Sequence, residues 1–346
     1  MRAGWRLTEH APLRSRNTLG VDAQARFLLE LQDLAALPAA LALEPLRQRH
    51  WLPIGAGSNL LLAGDVDAVA LSFDARAITV VGEDADVVLV RAEAGVAWHA
   101  LVLWTLDHGL CGLENLALIP GTAGACPIQN IGAYGVEAGE HITSVEAWDT
   151  QTNAWCRLSR AQCGFGYRDS VFKRQPGRWL ITAVTFALSR TPALRIEYAG
   201  LRHELEDMGI EHPGPREVAE AVIRVRRRKL PDPAVLGNAG SFFKNPIVAA
   251  EVADRLQSRL PGLPVFSGDA ADTRKLSAAW LIEQAGWKGH RAGDAGVSPD
   301  HALVLVNHGQ ASGAQLLALA RQIAASVQQR FGVAIEPEPR IVGASW

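Results

Sequence analysis

Apolar positions along the chain come in short runs of two periods. Phe27, Leu29 and Leu31 recur at every second residue, the spacing of a half-buried strand. Val69–Ser72, Val87–Ala92, Val145–Trp148 and Leu180–Leu188 read as further strands, and Ala302–Val306 as a buried one. Helical spacing marks Trp98–His108, Arg216–Lys229 with Val218, Val222 and Val225 on one face, Ala249–Leu260, Thr273–Ala285 and Gln315–Phe331. The Ala/Leu-rich stretch Leu34–Arg49 also predicts a helix, with Pro38 confined to its first turn or breaking it. Strands and helices mixed in this way define an α+β class. After Ser189 the texture becomes polar and proline-interrupted (TPALRIEYAGLRHELEDMGIEHPGP), which predicts a boundary between domains 1–200 and 201–346, with a candidate subdivision near residue 65.

Several stretches fit neither period. Glu114–Tyr134, ENLALIPGTAGACPIQNIGAY, is a run of about twenty residues, longer than a structureless connection in a compact domain normally is unless it is functional. Its glycines bare the backbone, Pro120 and Pro127 stiffen it, and Asn115, Gln129 and Asn130 offer amides, a composition suited to a flat polar ligand. Trp51-Leu52-Pro53-Ile54 leads into Gly55-Ala56-Gly57-Ser58-Asn59 and then Leu60-Leu61-Leu62, an order that suits an anion-binding nest and equally an ordinary tight turn. GAGSN has neither the third glycine of a dinucleotide fingerprint nor the GK[ST] of a P-loop. In Gly166-Tyr167-Arg168-Asp169-Ser170 the arginine, between Tyr167 and Asp169, is either held over an anion or simply exposed on a turn. Gly237 to Pro246 predicts a second loop of small residues, and Glu336-Pro337-Glu338-Pro339-Arg340 an extended arm.

Composition narrows the classes. At 346 residues the chain has room for roughly two or three domains. A net charge of −2 and a pI near 6.6 leave no basic footprint for nucleic acid or an anionic membrane. The RVRRRK run that ends the helix at Lys229 reads as cations complementing a helix dipole. Cys111, Cys126, Cys156 and Cys163 form no CxxC pair and the ten histidines no HExxH, so the expectation is reduced, mostly buried thiols and no metal site. The longest apolar run, LAALPAALAL, is short and broken by proline, and the start has no apolar leader. A cytoplasmic protein is therefore expected.

GAGSN at 55–59, IPGTAGACPIQNIGAYG at 119–135, GYRDS at 166–170, KLPDP and NAGSFFKNP within 229–246, and EPEPR at 336–340 resemble, in order and over nearly the whole chain, the UDP-N-acetylenolpyruvoylglucosamine reductases. The resemblance implies an FAD-binding domain of the PCMH/vanillyl-alcohol-oxidase type, then a smaller α+β substrate-binding domain whose C-terminal arm returns to the active site. It implies non-covalent FAD, NADPH as hydride donor and a UDP-sugar enolpyruvyl ether as substrate. A monomer is expected, and the charge balance predicts no nucleic-acid or membrane partner. Flavin contacts fall on Gly55, Ala56, Gly57, Ser58, Asn59, Pro120, Gly121, Gly124, Ala125, Gln129, Asn130, Gly132 and Tyr134. By motif, Arg168 stabilises an enolate-like intermediate, Ser241 donates a proton and Glu338 polarises the intermediate. Glu336 has the same chemistry, and residue type alone leaves the choice between the two acids open.

Tyr167, Tyr198, Lys229, Asn245, Lys288, His301 and Arg340 are the implied substrate or nicotinamide contacts, Tyr198 lying in an insertion like that of the long-loop form, where it closes on the UDP diphosphate. Two residues depart from the family's pattern. His301 stands where glutamine is more frequent, and Pro339 where an aliphatic residue is usual. The alternatives are a PCMH-type flavin oxidase of a sugar or hydroxy acid, whose reduced form would react quickly with oxygen, and a non-catalytic flavin or sugar-nucleotide binder.

Overall fold

A computed structural model describes residues 4–47 and 49–346. The chain forms two compact units. One takes the chain up to Ala11, Ala25–Ala56 and Asp67–Arg228, and the other takes Pro12–Gln24, Gly57–Val66 and Lys229–Trp346.

The first unit is built on a five-stranded antiparallel sheet in the order Ala154–Ser159, Ile142–Asp149, Trp179–Ser189, Val87–Glu93, Ile78–Glu83. Its central strand is buried from Leu180 to Phe186, which is why apolar residues there occupy both faces, interrupted only by buried Thr182 and Thr185. Ile181, Val184 and Phe186 meet helices Trp98–Asp107 and Pro215–Lys229 through Trp98, Leu101, Val218 and Val222, and the Trp98 ring stands edge-on to Phe186 at 5.9 Å. Leu180 and Trp148 pack instead with Phe27, Leu29, Leu31, Val69 and Leu71. These come from a four-stranded sheet ordered Trp5–Pro12, Gln24–Leu31, Val66–Phe73, Trp51–Pro53, whose last pair runs parallel. Each such fully buried aliphatic side chain contributes roughly 1.5–3 kcal/mol.

In the second unit Gly237–Ser241, Val304–Asn307, Ala295–Val297 and Arg291–Ala292 form an antiparallel sheet. Helix Gly313–Phe331 buries Leu316, Leu317, Ala320, Ile323 and Val327. It starts at a Ser312/Gln315 capping box and stops at Gly332, whose φ of 70° ends it in the left-handed region. Ile247–Ala249, Thr273–Leu276 and Val265–Ser267 make a smaller sheet, and Arg340–Val342 runs parallel to Leu60–Leu62.

Four expectations change. The helix expected from Thr273 begins only at Ala278, after the Ser277 cap, because Thr273–Leu276 is paired on both sides as a middle strand. Leu34–Arg49 is not one helix: a single five-residue turn, Leu37–Leu41, lies between 3-10 segments Leu34–Ala36 and Glu44–Leu46, with Pro38 and Pro45 in their first turns. Gly237–Ser241 is a strand with a register shift after Asn238, and Asn238 stabilises the irregularity by accepting from Gly240 N–H and donating to Pro231 and Leu236 carbonyls. The units divide after Arg228 and not near residue 200, because Leu194, Ile196, Leu201, Leu205 and Val218 all join the first unit's core.

Gly313 shows how closely the second unit is packed, since a Cβ there would stand 1.7 Å from the Leu62 carbonyl oxygen. Gly313→Ala is expected to lower the unfolding free energy by about 1–3 kcal/mol, the range for forced overpacking. Urea titration checks this, and an unchanged midpoint would show that the helix start yields without cost.

Candidate active site

The loop from Glu114 to Tyr134 is laid against the segment Ala94–Trp98. Trp98 N–H donates to Gly121 O (3.1 Å), Ala123 N–H to Val96 O (2.8 Å) and Gly124 N–H to Ala94 O (3.1 Å). A Cβ on Gly124 would come within 2.5 Å of the Ala94 methyl, so this glycine serves packing. Gly55 lies against the same loop, where a Cβ would meet Thr122 Oγ1 at 2.6 Å. Among the described residues, the N–H groups of Gly55, Ala56, Gly121 and Thr122 donate to no protein acceptor. Paired backbone donors of this kind fit the pyrophosphate of a dinucleotide cofactor such as FAD.

The loop also carries the GYRDS turn. Asn130, 2 % exposed and with φ of 47°, accepts from Gly139 N–H at Oδ1 (2.8 Å) and donates from Nδ2 to Glu137 Oε2 (2.7 Å) and Gly166 O (3.1 Å). Ser170 Oγ donates to Ile128 O (2.5 Å) and caps the short helix Val171–Arg174. Arg168 closes the arrangement, donating from Nη2 to Gly132 O (2.8 Å), with its guanidinium 5.3 Å from the Tyr167 ring centre. Its φ of 53° costs a non-glycine residue about 1–3 kcal/mol, a strain the surrounding bonds sustain. Asp169 pairs with Arg174, so Tyr167 and the loop, and not Asp169, hold the arginine. The side chain of Asn130 and the carbonyl of Gly132 are thus engaged within the protein.

Tyr134 and Tyr198 stand edge to face with ring centres 5.3 Å apart, Tyr198 half exposed. Burial pushes the Tyr134 phenol up, and the nearby Arg226 opposes this. Arg226 continues the Val218/Val222 face of its helix at spacing four, and its Nε donates to Leu118 O (3.2 Å). Arg228 bonds buried Glu204 at 2.6 Å. The RVRRRK run therefore does more than complement a dipole, and the four-residue spacing was the available signal.

In the second unit the C-terminal arm lies along the chain that follows Ser241. Glu338 N–H donates to Phe242 O (2.7 Å), Pro337 bridges to Phe243, and Lys244 N–H donates to Glu336 O (3.0 Å). The Glu336 side chain is 70 % exposed and 3.5 Å from Lys244, whereas the half-buried Glu338 is bonded through its backbone to the residue next to Ser241. Asn59 fixes the arm from the other side, its carbonyl accepting from Arg340 N–H (3.0 Å) and its amide reaching Glu338 O (3.4 Å). A Cβ on Gly57, at φ 64°, would meet Arg16 O at 2.0 Å, and Pro339 is buried. Asn245 Oδ1 caps the helix at Ala278 N–H (2.9 Å). His301 Nδ1 accepts from Leu303 N–H (3.2 Å); burial pushes its pKa down, and Lys229 and Lys288 add to the shift. Arg168 belongs to the first unit, and Ser241 and Glu338 to the second. Ser58, Pro120, Ala125 and Gln129 are exposed or half-buried within their loops.

All four cysteines are free thiols, with Cys111, Cys126 and Cys163 buried. Among the described residues no helix is long and apolar enough to cross a membrane, and no three His, Cys, Asp or Glu side chains gather as metal ligands do.

Comparison with known proteins gives the class first. Residues 25–157 match the model of an FAD binding domain, so the first unit carries a flavin-binding fold. Residues 232–342 match the model of UDP-N-acetylenolpyruvoylglucosamine reductase, C-terminal domain. The chain is 59% identical over 346 residues to the UDP-N-acetylenolpyruvoylglucosamine reductase of Xanthomonas axonopodis pv. citri (strain 306), covering 100% of this chain and 99% of that one. It is 58% identical over 342 residues to the enzyme of that name from Xanthomonas campestris pv. campestris (strain B100), covering 99% and 98%. The crystal structure of UDP-N-acetylenolpyruvylglucosamine reductase from Thermus caldophilus, 26% identical, covers 98% of both chains with a TM-score of 0.67. The chain belongs to the UDP-N-acetylenolpyruvoylglucosamine reductase family.

His99, His141 and His301 all have pKa values lowered by burial. Between the folded value and the unfolded one near 6.5, the unfolded chain binds more protons, so stability rises with pH and is lost as pH falls through that window. His301→Gln is expected to flatten the slope of unfolding free energy against pH below about 6.5, by at most about 1.4 kcal/mol per pH unit. Urea titrations on both sides of that pH check it; an unchanged slope would mean that His301 holds its proton equally in both states.

Proposed function

We propose that the chain catalyses the NADPH-dependent, FAD-mediated reduction of the enolpyruvyl ether of UDP-N-acetylglucosamine to UDP-N-acetylmuramate, a step of bacterial peptidoglycan synthesis. The observation that carries this reading is the Glu338 N–H bond to the Phe242 carbonyl, which sets the second acid of EPEPR beside the Ser241 strand. Full-length identity to the reductases supports it. FAD held by the first unit would supply the hydride chemistry, linking NADPH to the terminal enol carbon of the substrate.

That delivery leaves negative charge on the neighbouring carbon and its carboxylate, and the protein must supply a cation and a proton. Arg168 provides fixed positive charge, its direction set by Gly132 and Tyr167 so that little reorganisation is needed. Ser241 gives its hydroxyl proton to the carbanion, a weak acid being sufficient for so strong a base once it is positioned. Glu338 polarises the intermediate, and Glu336, engaged with Lys244, does not. Lys229 and Lys288, the latter paired with Glu283, are the candidate phosphate contacts, with Tyr167, Tyr198 and Arg340 as further substrate contacts. Asn245 would contact substrate through its amide N–H2, since its oxygen caps a helix. The first unit holds FAD and the second most of the substrate. One chain supplies all three catalytic candidates, which favours a monomer acting on small molecules alone, and substrates of this kind favour a cytoplasmic enzyme.

Ser241→Ala removes one oxygen from a half-buried site, so the variant should keep FAD, released intact by acid, and should still be bleached by NADPH without air. Reoxidation by the enolpyruvyl nucleotide should slow by roughly two to four orders of magnitude, the range for loss of a positioned acid. Stopped-flow absorbance separates the two half-reactions. Reoxidation at the wild-type rate would assign the proton to another group.

A further inference from the structure

The segment Asn17-Thr18-Leu19-Gly20 has no part in the chemistry described so far, yet it lies between two pieces of it. On one side is the glycine turn: Thr18 N–H and Oγ1 both donate to Gly57 O (3.3 and 3.5 Å), and a Cβ on Gly57 would stand 2.7 Å from the Asn17 Cα. On the other side is the strand that ends at Ser241. The Thr18 carbonyl accepts from Asn238 N–H (2.9 Å), and a Cβ on Gly237 would stand 2.6 Å from the Leu19 oxygen. That oxygen also accepts from Asn307 Nδ2 (2.9 Å), on the strand paired with Gly237–Ser241.

Backbone groups make the bridge, so the path of the segment itself must be fixed, and a buried side chain fixes it. Asn17, 5 % exposed, accepts from Val21 N–H at Oδ1 (3.0 Å) and donates from Nδ2 to the Leu13 and Val21 carbonyls (2.8 and 3.0 Å). Asn238 carries the link onward, since its Oδ1 accepts from Gly240 N–H (2.9 Å) at the register shift that precedes Ser241. Gly57, Thr18 and Asn238 all belong to the second unit, and Asn59 ties the same turn to the Glu338 arm.

We propose that Asn17 and Thr18 are positioning residues which couple the glycine turn to the proton-donor strand, so that FAD bound at the turn sets Ser241 for its step. The inference rests on the readings of residues 55–59 as a flavin contact and of Ser241 as the proton donor. Such coupling is reciprocal: if flavin steadies the strand, displacing the strand weakens flavin binding by the same factor.

Hydrogen exchange compares the holoenzyme with the same protein stripped of FAD. FAD should slow exchange at Gly55 and Ala56, the bare donors of the turn, and also, by about tenfold, at Asn238 and Gly240. In Asn17→Ala the slowing at Gly55 and Ala56 should remain while that at Asn238 and Gly240 is lost. Gly237→Ala, whose methyl would press on the Leu19 oxygen, should bind FAD about tenfold more weakly, although residue 237 lies outside the turn. Should Asn17→Ala fail to fold, the unaltered enzyme and Gly237→Ala decide. Slowing at Gly55 and Ala56 with none at Asn238 and Gly240 in the unaltered enzyme, or unchanged FAD affinity in Gly237→Ala, overturns the coupling alone. Full slowing at Asn238 and Gly240 in Asn17→Ala overturns the role of Asn17. Slowing at neither pair removes the flavin contact at the turn, and the inference with it.

Discussion

The buried side chain of Asn130 is the constraint on which the first unit's chemistry depends. Its three bonds join the glycine-rich loop to Gly139, to Glu137 and to the GYRDS turn. A loop of glycines and small residues has no packing of its own to fix its path, and its backbone entropy opposes order. Buried amide bonds contribute about 1 kcal/mol each, and leaving one partner orphaned costs about 1–3 kcal/mol, so a single side chain with three partners can decide whether the loop has one conformation. Once it does, Gly132 O is in place to receive Arg168, and the strained backbone of that arginine is sustained.

The second unit meets the same requirement with backbone pairing. Ser241 ends a strand, and the residues after it take up the EPEPR arm through alternating bonds, Glu338 to Phe242 and Lys244 to Glu336. Two prolines remove competing helical conformations from the arm, and Asn59 seals its other edge. Side chains of opposite fate follow: Glu336 turns to Lys244, while Glu338 stays half-buried near the serine's strand. Residue type does not separate these acids, whereas their surroundings differ.

What could be read in the sequence follows burial. Val87–Glu93, Ile142–Asp149 and Trp179–Ser189 were legible because apolar residues fill one or both faces, and Pro215–Lys229 because its valines recur at helical spacing. Thr273–Leu276 was not, since its sheet is small and three of its four residues are only half-buried, leaving no apolar period. Gly237–Ser241 was hidden by its small residues, and the attachment of Pro12–Gln24 and Gly57–Val66 to the second unit by the purely local range of any periodicity. The motifs drew attention to irregular stretches, but residue type does not separate a glycine or amide used in packing from one whose backbone stays bare: Gly124 and Asn130 face inward, and Gly55 and Ala56 keep bare N–H groups.

Asn130→Ala is the decisive variant, because this one side chain ties the glycine-rich loop to the Arg168 turn. FAD affinity, measured by equilibrium release of flavin, should weaken by roughly five- to a hundredfold, the equivalent of about 1–3 kcal/mol, and flavin reoxidation by the enolpyruvyl nucleotide should slow in flavin-saturated enzyme. A variant that binds FAD and reoxidises as the parent does would show that the loop and the arginine are held by other means.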